Sequence, residues 1–190
     1  MGAKRTGAVV LLVLVLWVLV LAACRQGTAL PLGREAYRNG PRGYSIRYPQ
    51  GWQYLERGGT VQFYQDEEAL KDSSTAAGVL VIAGTPAELG VIGGAVDSRG
   101  VLESIDLGTG QGEDQLRISR VWDLSLSGQK AAAVDITGTQ SGVEVGGRYV
   151  AIHLGTRIVV LAGAGSREAW KKFLPTFEAM VASVSFFSPE

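Results

Sequence analysis

Few side chains in this 190-residue chain are suited to covalent chemistry. It has one cysteine, Cys24, and one histidine, His153. Protein zinc sites take about four ligands, mostly His and Cys, so a site built from those residues is excluded. Nucleophilic catalysis by a serine needs a base held beside it. His153 is the only histidine available for that task, and no nucleophile motif surrounds the serines. It falls in an alternating segment, on the parity opposite Val150, Ile152 and Leu154. That position reads as a solvated face or as a layer beneath a helix.

The carboxylates and glycines are equally sparing. Asp66, Glu67, Glu68 and Asp72 could gather calcium, but calcium loops space their oxygen ligands around a required glycine. This stretch has neither feature and reads as a solvated helical face. Glu113 and Asp114 read as a loop tip. Gly108-Thr109-Gly110-Gln111-Gly112 lacks the Gly-Lys-Ser/Thr of a phosphate loop. Leu161-Ala162-Gly163-Ala164-Gly165-Ser166 runs from a strand toward a helix start that could hold an anion. It lacks the dinucleotide spacing and reads as a plain strand-to-helix turn. Trp52, Trp122 and Trp170 read as core, with an aromatic ligand pocket as the alternative. No catalytic, cofactor or metal residue is assigned. A paired-carboxylate site depends on spatial separation, which a sequence does not display.

The elements that position these residues are legible from periodicity. Tyr44, Ile46 and Tyr48 alternate with Ser45 and Arg47, a strand pattern. Trp52 to Leu55 and Val61 to Tyr64 follow as two arms separated by Gly58-Gly59. Val79 to Ala83 reads as a strand buried on both faces. Thr85-Pro86-Ala87-Glu88 has the residues of a capping box with proline at the first helical position, although Gly90, Gly93 and Gly94 keep any helix there short. A second helix is expected over about 97–107, with Val101, Leu102 and Ile105 as its buried stripe. Leu116, Ile118, Trp122, Leu124 and Leu126 share one parity and predict a single long strand, although Arg120 breaks its apolar side. Strands over 131–139, 148–154 and 158–161 follow, with Gly155-Thr156 as a tight hairpin. Such short connections require antiparallel pairing. From Ser166, Trp170, Phe173, Leu174, Phe177, Met180, Val181 and Val184 recur every three or four residues, the apolar face of a helix. Pro175 inside it is expected to kink the helix or to start a new one.

The N-terminus has a different pattern. Lys4 and Arg5 precede an uninterrupted apolar run from Ala8 to Ala23. Its sixteen residues span roughly 24 Å as a helix, short of the ~30 Å hydrocarbon core. The order of positive, apolar and small-residue segments is that of a secretory signal. Leu21-Ala22-Ala23-Cys24 then resembles the lipobox of bacterial lipoproteins. The resemblance implies cleavage before Cys24 and a thioether-linked diacylglycerol on its thiol. Residues 1–23 are thus expected to be a lipoprotein signal peptide. Residues 24–42, with Pro31, Gly33, Asn39-Gly40 and Pro41 and no apolar period, are expected to be a flexible tether. The rest, 43–190, is expected to be one domain that folds alone without metal. Without Lys4 and Arg5 the chain carries 16 basic and 18 acidic residues. No basic run stands out, which argues against the positive field that nonspecific nucleic-acid binding requires.

Gly43-Tyr44-Ser45-Ile46-Arg47-Tyr48-Pro49-Gln50-Gly51-Trp52 resembles the opening of PsbP-like domains, as do the meander, the closing helix with Trp170 and Phe177, and Ser183-Val184-Ser185-Phe186. This resemblance implies an α+β fold, an antiparallel β-sheet flanked by helices in an α/β/α sandwich. The best-known member of that family is an extrinsic photosystem II subunit, and many bacterial members are lipoproteins. The expectation is a lipid-anchored extracytoplasmic binding or assembly module without catalytic activity or cofactor. It would be held at a cell membrane through Cys24 beside a membrane-associated protein partner. A small-ligand carrier with a pocket between sheet and helices is second, and an extracytoplasmic hydrolase third.

Overall fold

The computed structural model describes residues 28–66, 77–91, 97–104 and 115–190. The expected signal peptide 1–23, Cys24, the acidic stretch 67–72, Gly93 and Gly94, Ile105 and the glycine loop 108–114 lie outside the described residues.

Most of the chain is a meander closed by two-residue turns. Gly58-Gly59 joins β3 (Gln53–Arg57) to β4 (Thr60–Tyr64), Ser127-Gly128 joins β7 (Trp122–Leu126) to β8 (Gln129–Gln140), and Ser141-Gly142 joins β8 to β9 (Val143–His153). All six turn residues have positive φ, the backbone twist that suits right-twisted hairpins. β10 (Ile158–Ser166) follows the Gly155-Thr156 turn, across which the Leu154 N–H donates to the Arg157 carbonyl at 2.8 Å. With β5 (Gly78–Gly84) and β6 (Gln115–Ile118), the large sheet has the order β3-β4-β5-β10-β9-β8-β6, and β7 also pairs with β8. Every neighbour is antiparallel. A second, three-stranded antiparallel sheet has the order β1-β2-β11, from β1 (Leu32–Asn39), β2 (Tyr44–Pro49) and β11 (Ser185–Phe186).

The large sheet is apolar on both faces. On one, Val81, Phe63, Val150, Ile152 and Leu161 pack against the small sheet and α2 (Arg167–Ala182). On the other, Ala132, Val134, Ala151 and Val160 pack under α1 (Ser98–Ser104) through Val101 and Leu102. The order is helix, sheet, then a layer of helix and small sheet. β5 departs from the expected two-sided burial: Val79, Val81 and Ala83 are buried, whereas Leu80 and Ile82 are half-covered.

The segment expected as a tether is instead partly folded. β1 lies within it and pairs along β2 from Asn39↔Tyr44 to Leu32↔Pro49, with a register irregularity between Leu32 and Ala36. Tyr37 and Asn39 are buried, while Arg34, Glu35 and Ala36 are exposed. That irregularity spoils the alternation by which a strand is read. Ordered contacts begin before it, since the Leu30 N–H donates to the Thr176 hydroxyl at 2.9 Å.

The long strand expected over 116–126 is two. Between Ile118↔Ile136 and Trp122↔Ala133, three residues of one strand face two of the other, which is a β-bulge. The Asp135 N–H donates to the Ser119 hydroxyl at 3.0 Å and the Ser119 N–H to the Asp135 carbonyl at 2.9 Å. The extra residue reverses the parity. Leu116 and Val121 join the α1 face, and Trp122 and Leu124 join the α2 face.

Pro175 does not divide α2. One helix spans Arg167–Ala182, capped by Ser166. Trp170 and Phe173 before the proline and Phe177, Met180 and Val181 after it are all buried. At ~1.5–3 kcal/mol for each large side chain, these contacts outweigh a proline cost of ~3 kcal/mol. The capping box at Thr85 forms without its helix. The Thr85 N–H donates to the Glu88 carboxylate at 2.7 Å and the Glu88 N–H to the Thr85 hydroxyl at 3.3 Å. Only a turn follows, and Gly90 leaves it at positive φ. The Arg42 guanidinium beside Glu88, at 2.7 Å, holds that carboxyl down at about 2.

Candidate functional site

Two places on this scaffold gather polar groups against apolar walls. The first lies at the start of α1, where the β8–β9 ladder ends. Ser98 is buried there, and its hydroxyl accepts the His153 N–H at 3.0 Å and donates to the Lys130 carbonyl at 3.0 Å. It thus bridges two strands at the point where they part. Asp97 accepts the Gly100 N–H at 2.8 Å. The Arg99 guanidinium donates to the Asp123 carboxylate at 2.9 Å and to the Val121 carbonyl at 3.1 Å. Asp97, Ser98, Arg99, Asp123, Lys130 and His153 line an open cleft of about 480 Å³.

Ser98 next to His153 is the juxtaposition the sequence did not disclose. The two residues are 55 apart, and the serine lies inside a segment expected only to be helical. The contact uses the main-chain N–H of the histidine rather than its ring. The serine proton is committed to a carbonyl. The arrangement therefore holds α1 to the sheet edge and leaves the half-buried imidazole in the cleft wall.

The second place lies between β7 and α2. Arg148 reaches across from β9, and its guanidinium donates to both oxygens of Asp135, at 2.6 and 3.1 Å, and to Glu178 of α2 at 2.7 Å. It also lies 5.0 Å from the centre of the Trp122 ring. The Asp135 carboxylate is the main cause that raises its pKa, so it is always a cation. Trp122, Leu124, Phe177 and Val181 complete a cleft of about 230 Å³. Of the three tryptophans expected in the core, Trp52 and Trp170 are buried, with Trp52 stacked on Phe173 at 5.3 Å and 7°. Trp122 is half-exposed above Arg148.

A third cluster is internal. The Tyr37 hydroxyl donates to Glu56 and accepts from Asn39 at 3.0 Å. Burial, first, and that carboxylate raise the Tyr37 pKa far above the ordinary phenol value. Burial pushes Tyr44 up to about 12. Among the described residues, the Tyr44 hydroxyl makes no hydrogen bond of normal geometry. An unsatisfied buried hydroxyl costs ~1–3 kcal/mol. Tyr44→Phe is therefore expected to melt at the wild-type temperature or a few degrees above it. A clear fall in midpoint would show that the hydroxyl has a partner.

The remaining sequence candidates scatter. Cys24, Glu113 and Asp114 lie outside the described residues, and Asp66 is exposed at the end of β4. The glycine-rich segment 161–166 is not a turn: it is the last part of β10, paired with β9 throughout. Among the described residues no group of three or more His, Cys, Asp and Glu could hold a metal ion, and no helix is long and apolar enough to cross a membrane.

No family model matches the sequence, and no curated protein does. Solved structures do match the fold. Cyanobacterial PsbP (CyanoP) from Synechocystis sp. PCC 6803 is 16% identical, with 85% of this chain and 98% of that one covered and a TM-score of 0.56. LpqN, involved in cell envelope biogenesis of Mycobacterium tuberculosis, is 11% identical, with 83% and 92% covered and a TM-score of 0.57. A Bacteroides thetaiotaomicron VPI-5482 protein is 13% identical with a TM-score of 0.53 over 81% of this chain. The chain spans about half of that protein's length, 48%. An antiparallel sheet flanked by helices, shared with CyanoP over 85% of this chain, is the PsbP-like α+β fold.

Proposed function

We propose that this chain is a lipid-anchored extracytoplasmic module that binds or assembles with a membrane-associated partner and performs no catalysis. The observation that carries this reading is Leu21-Ala22-Ala23-Cys24 at the end of a short apolar run, only a few residues before a folded domain. A lipid on Cys24 would confine the domain to the bilayer and raise its effective concentration toward other membrane components. That gains much for a fixed partner and little for a diffusing substrate. LpqN, of the same fold, is involved in cell envelope biogenesis. Ser98, the serine beside the lone histidine, has its hydroxyl spent on main-chain groups. This weighs against a serine hydrolase. The cleft between β7 and α2 favours a ligand carrier as the second reading. At about 230 Å³ it falls below the ~300–1,000 Å³ of ligand pockets, whereas the open cleft beside α1, at about 480 Å³, falls within that range.

The test is Cys24→Ser. Metabolic labelling with a fatty acid is expected to mark the wild type and not the variant, and processing before Cys24 should stop. Exported as a soluble protein at native abundance, the variant should rescue a deletion strain poorly, and better when overproduced. Equal label in both forms would overturn the anchor. Full rescue at native abundance, lost on changing a single Asp or Glu, would point to a freely diffusing enzyme.

A further inference from the structure

The chain is fastened to the domain very close to Cys24, and this constrains which way the domain faces. Leu30 is already docked, its N–H on the Thr176 hydroxyl of α2. Pro31 is held as well, its carbonyl accepting the Gln50 N–H at 3.1 Å. From Cys24 to Leu30 a fully extended chain covers about 20 Å. The end of the domain that carries Leu30 and Gln50-Gly51, beside the middle of α2 at Thr176, is therefore the end that a lipid on Cys24 brings to the bilayer.

The opposite end is remote. Arg157, next to Ile158, donates to the Arg42 and Phe187 carbonyls, so the Asn39↔Tyr44 end of the β1–β2 ladder lies at the Ile158 end of β10, and Leu32↔Pro49 lies five residues farther along β2, about 17 Å of strand. Ile158 pairs with His153, beside Ser98 and Lys130. The polar cleft thus sits at the end away from Leu30. The two ends also differ in the groups they offer. At the near end Leu30 is 43% exposed, an apolar side chain where the chain emerges. Arg34 is exposed on β1, and Lys172 is exposed one helical turn before Thr176. Neither forms an ion pair among the described residues; exposed Glu35 follows Arg34, and Lys172 lies one turn after Glu168, whose carboxyl Lys171 first and Lys172 with it hold down. Each basic side chain close to an anionic membrane strengthens association about fivefold.

We infer that this near end is a docking surface for anionic lipid headgroups. Leu30, Arg34 and Lys172 lie against the bilayer, and the cleft of Asp97, Arg99, Lys130 and His153 is held outward. The inference rests on Cys24 as the point of attachment. The test supplies that attachment chemically, so that a chain never acylated in the cell and a domain that never meets the bilayer give different results. The chain from Cys24 to Glu190, which keeps every described residue, is coupled through its single thiol to a maleimide lipid. The vesicles are phosphatidylcholine alone or mixed with phosphatidylglycerol. A membrane-impermeant amine reagent then labels the lysines, read by mass spectrometry. On the anionic vesicles, labelling of Lys172 is expected to fall severalfold relative to the uncoupled chain, and that of Lys130 to stay unchanged. A dozen Gly and Ser residues inserted between Arg25 and Thr28 should restore Lys172. Equal labelling changes at Lys130 and Lys172, protection of Lys130 instead, or Lys172 protection that survives the insertion would each overturn the inference.

Discussion

A chain beginning at Arg42 is expected to be largely unfolded at the temperature where one beginning at Thr28 is fully native. The shorter chain lacks β1, which pairs with β2 at Leu32 and from Ala36 to Asn39. It loses Tyr37, buried between the two sheets with its ring 4.9 Å from Tyr54 and 5.7 Å from Phe63. It also loses half-buried Leu32 and the Asn39 side chain, which accepts the Arg42 N–H at 3.0 Å. Two large apolar side chains contribute ~1.5–3 kcal/mol each, and each backbone bond of the lost ladder ~0.5–1.5 kcal/mol. Glu56 would lose the phenol that now donates to it. The total is on the order of 5 kcal/mol or more, against a usual net stability of ~5–15 kcal/mol. Thermal unfolding of the two chains measures it. At this size ~1 kcal/mol moves the midpoint by roughly 2–4 °C, so a fall above ten degrees is expected. Equal midpoints would show that β1 is dispensable and that the domain begins at Gly43, as the periodicity suggests.

What the sequence discloses and hides follows from how regular each element is. α2 is legible because Trp170, Phe173, Phe177, Met180 and Val181 repeat at helical spacing, all of them buried. β2 is legible because Tyr44 and Ile46 alternate with residues that face out. β1 is hidden because only Tyr37 and Asn39 of its eight residues are buried, and its register shifts before them. A buried asparagine beside a tyrosine is also not a pattern that marks a core. The bulge at 119–121 is hidden for the opposite reason. Leu116, Ile118, Trp122 and Leu124 keep one parity in sequence, and Arg120 breaks the apolar side between them without announcing that a residue must be looped out. Only the demand that Trp122 meet Arg148 and that Leu116 meet the α1 face requires it. Clefts are assembled by such long-range register. Ser98 and His153, or Arg148 and Glu178, are neighbours because of strand order, which no local spacing encodes. Cys24 is different. The proposal for its thiol rests on the four adjacent residues Leu21-Ala22-Ala23-Cys24 and needs no fold.

Gly163→Val is expected to be among the most damaging single substitutions in the domain. Glycine is normally a poor choice inside a strand, and a β-branched residue in its place gains up to ~1 kcal/mol of propensity. Gly163 is central in β10, paired with Arg148 on one side and Val79 on the other. Its missing side chain is a seat for α2. A Cβ there would stand 2.5 Å from Phe177 Cδ2 and 2.9 Å from Trp170 Cζ3. Gly146 on β9 continues the same bed, where a Cβ would stand 2.7 Å from Trp170 Cδ1. Both rings are buried, centred 5.4 Å apart, and pinned by the helix that carries them. Neither is the free end of a flexible chain. Overpacking costs ~1–3 kcal/mol, and expelling an aromatic ring from a core ~3–5 kcal/mol. The clash therefore outweighs the propensity gain, and Gly163→Ala should already lower the melting point. A double-mutant cycle with Phe177→Leu separates this cause from any strain in the strand. If the ring is the obstacle, Gly163→Ala should cost clearly less in the leucine background, a coupling within the ~0.5–3 kcal/mol seen between touching residues. Additive costs would locate the penalty in the backbone of β10. A Gly163→Ala protein as stable as wild type would show that α2 can slide off its glycine bed without loss.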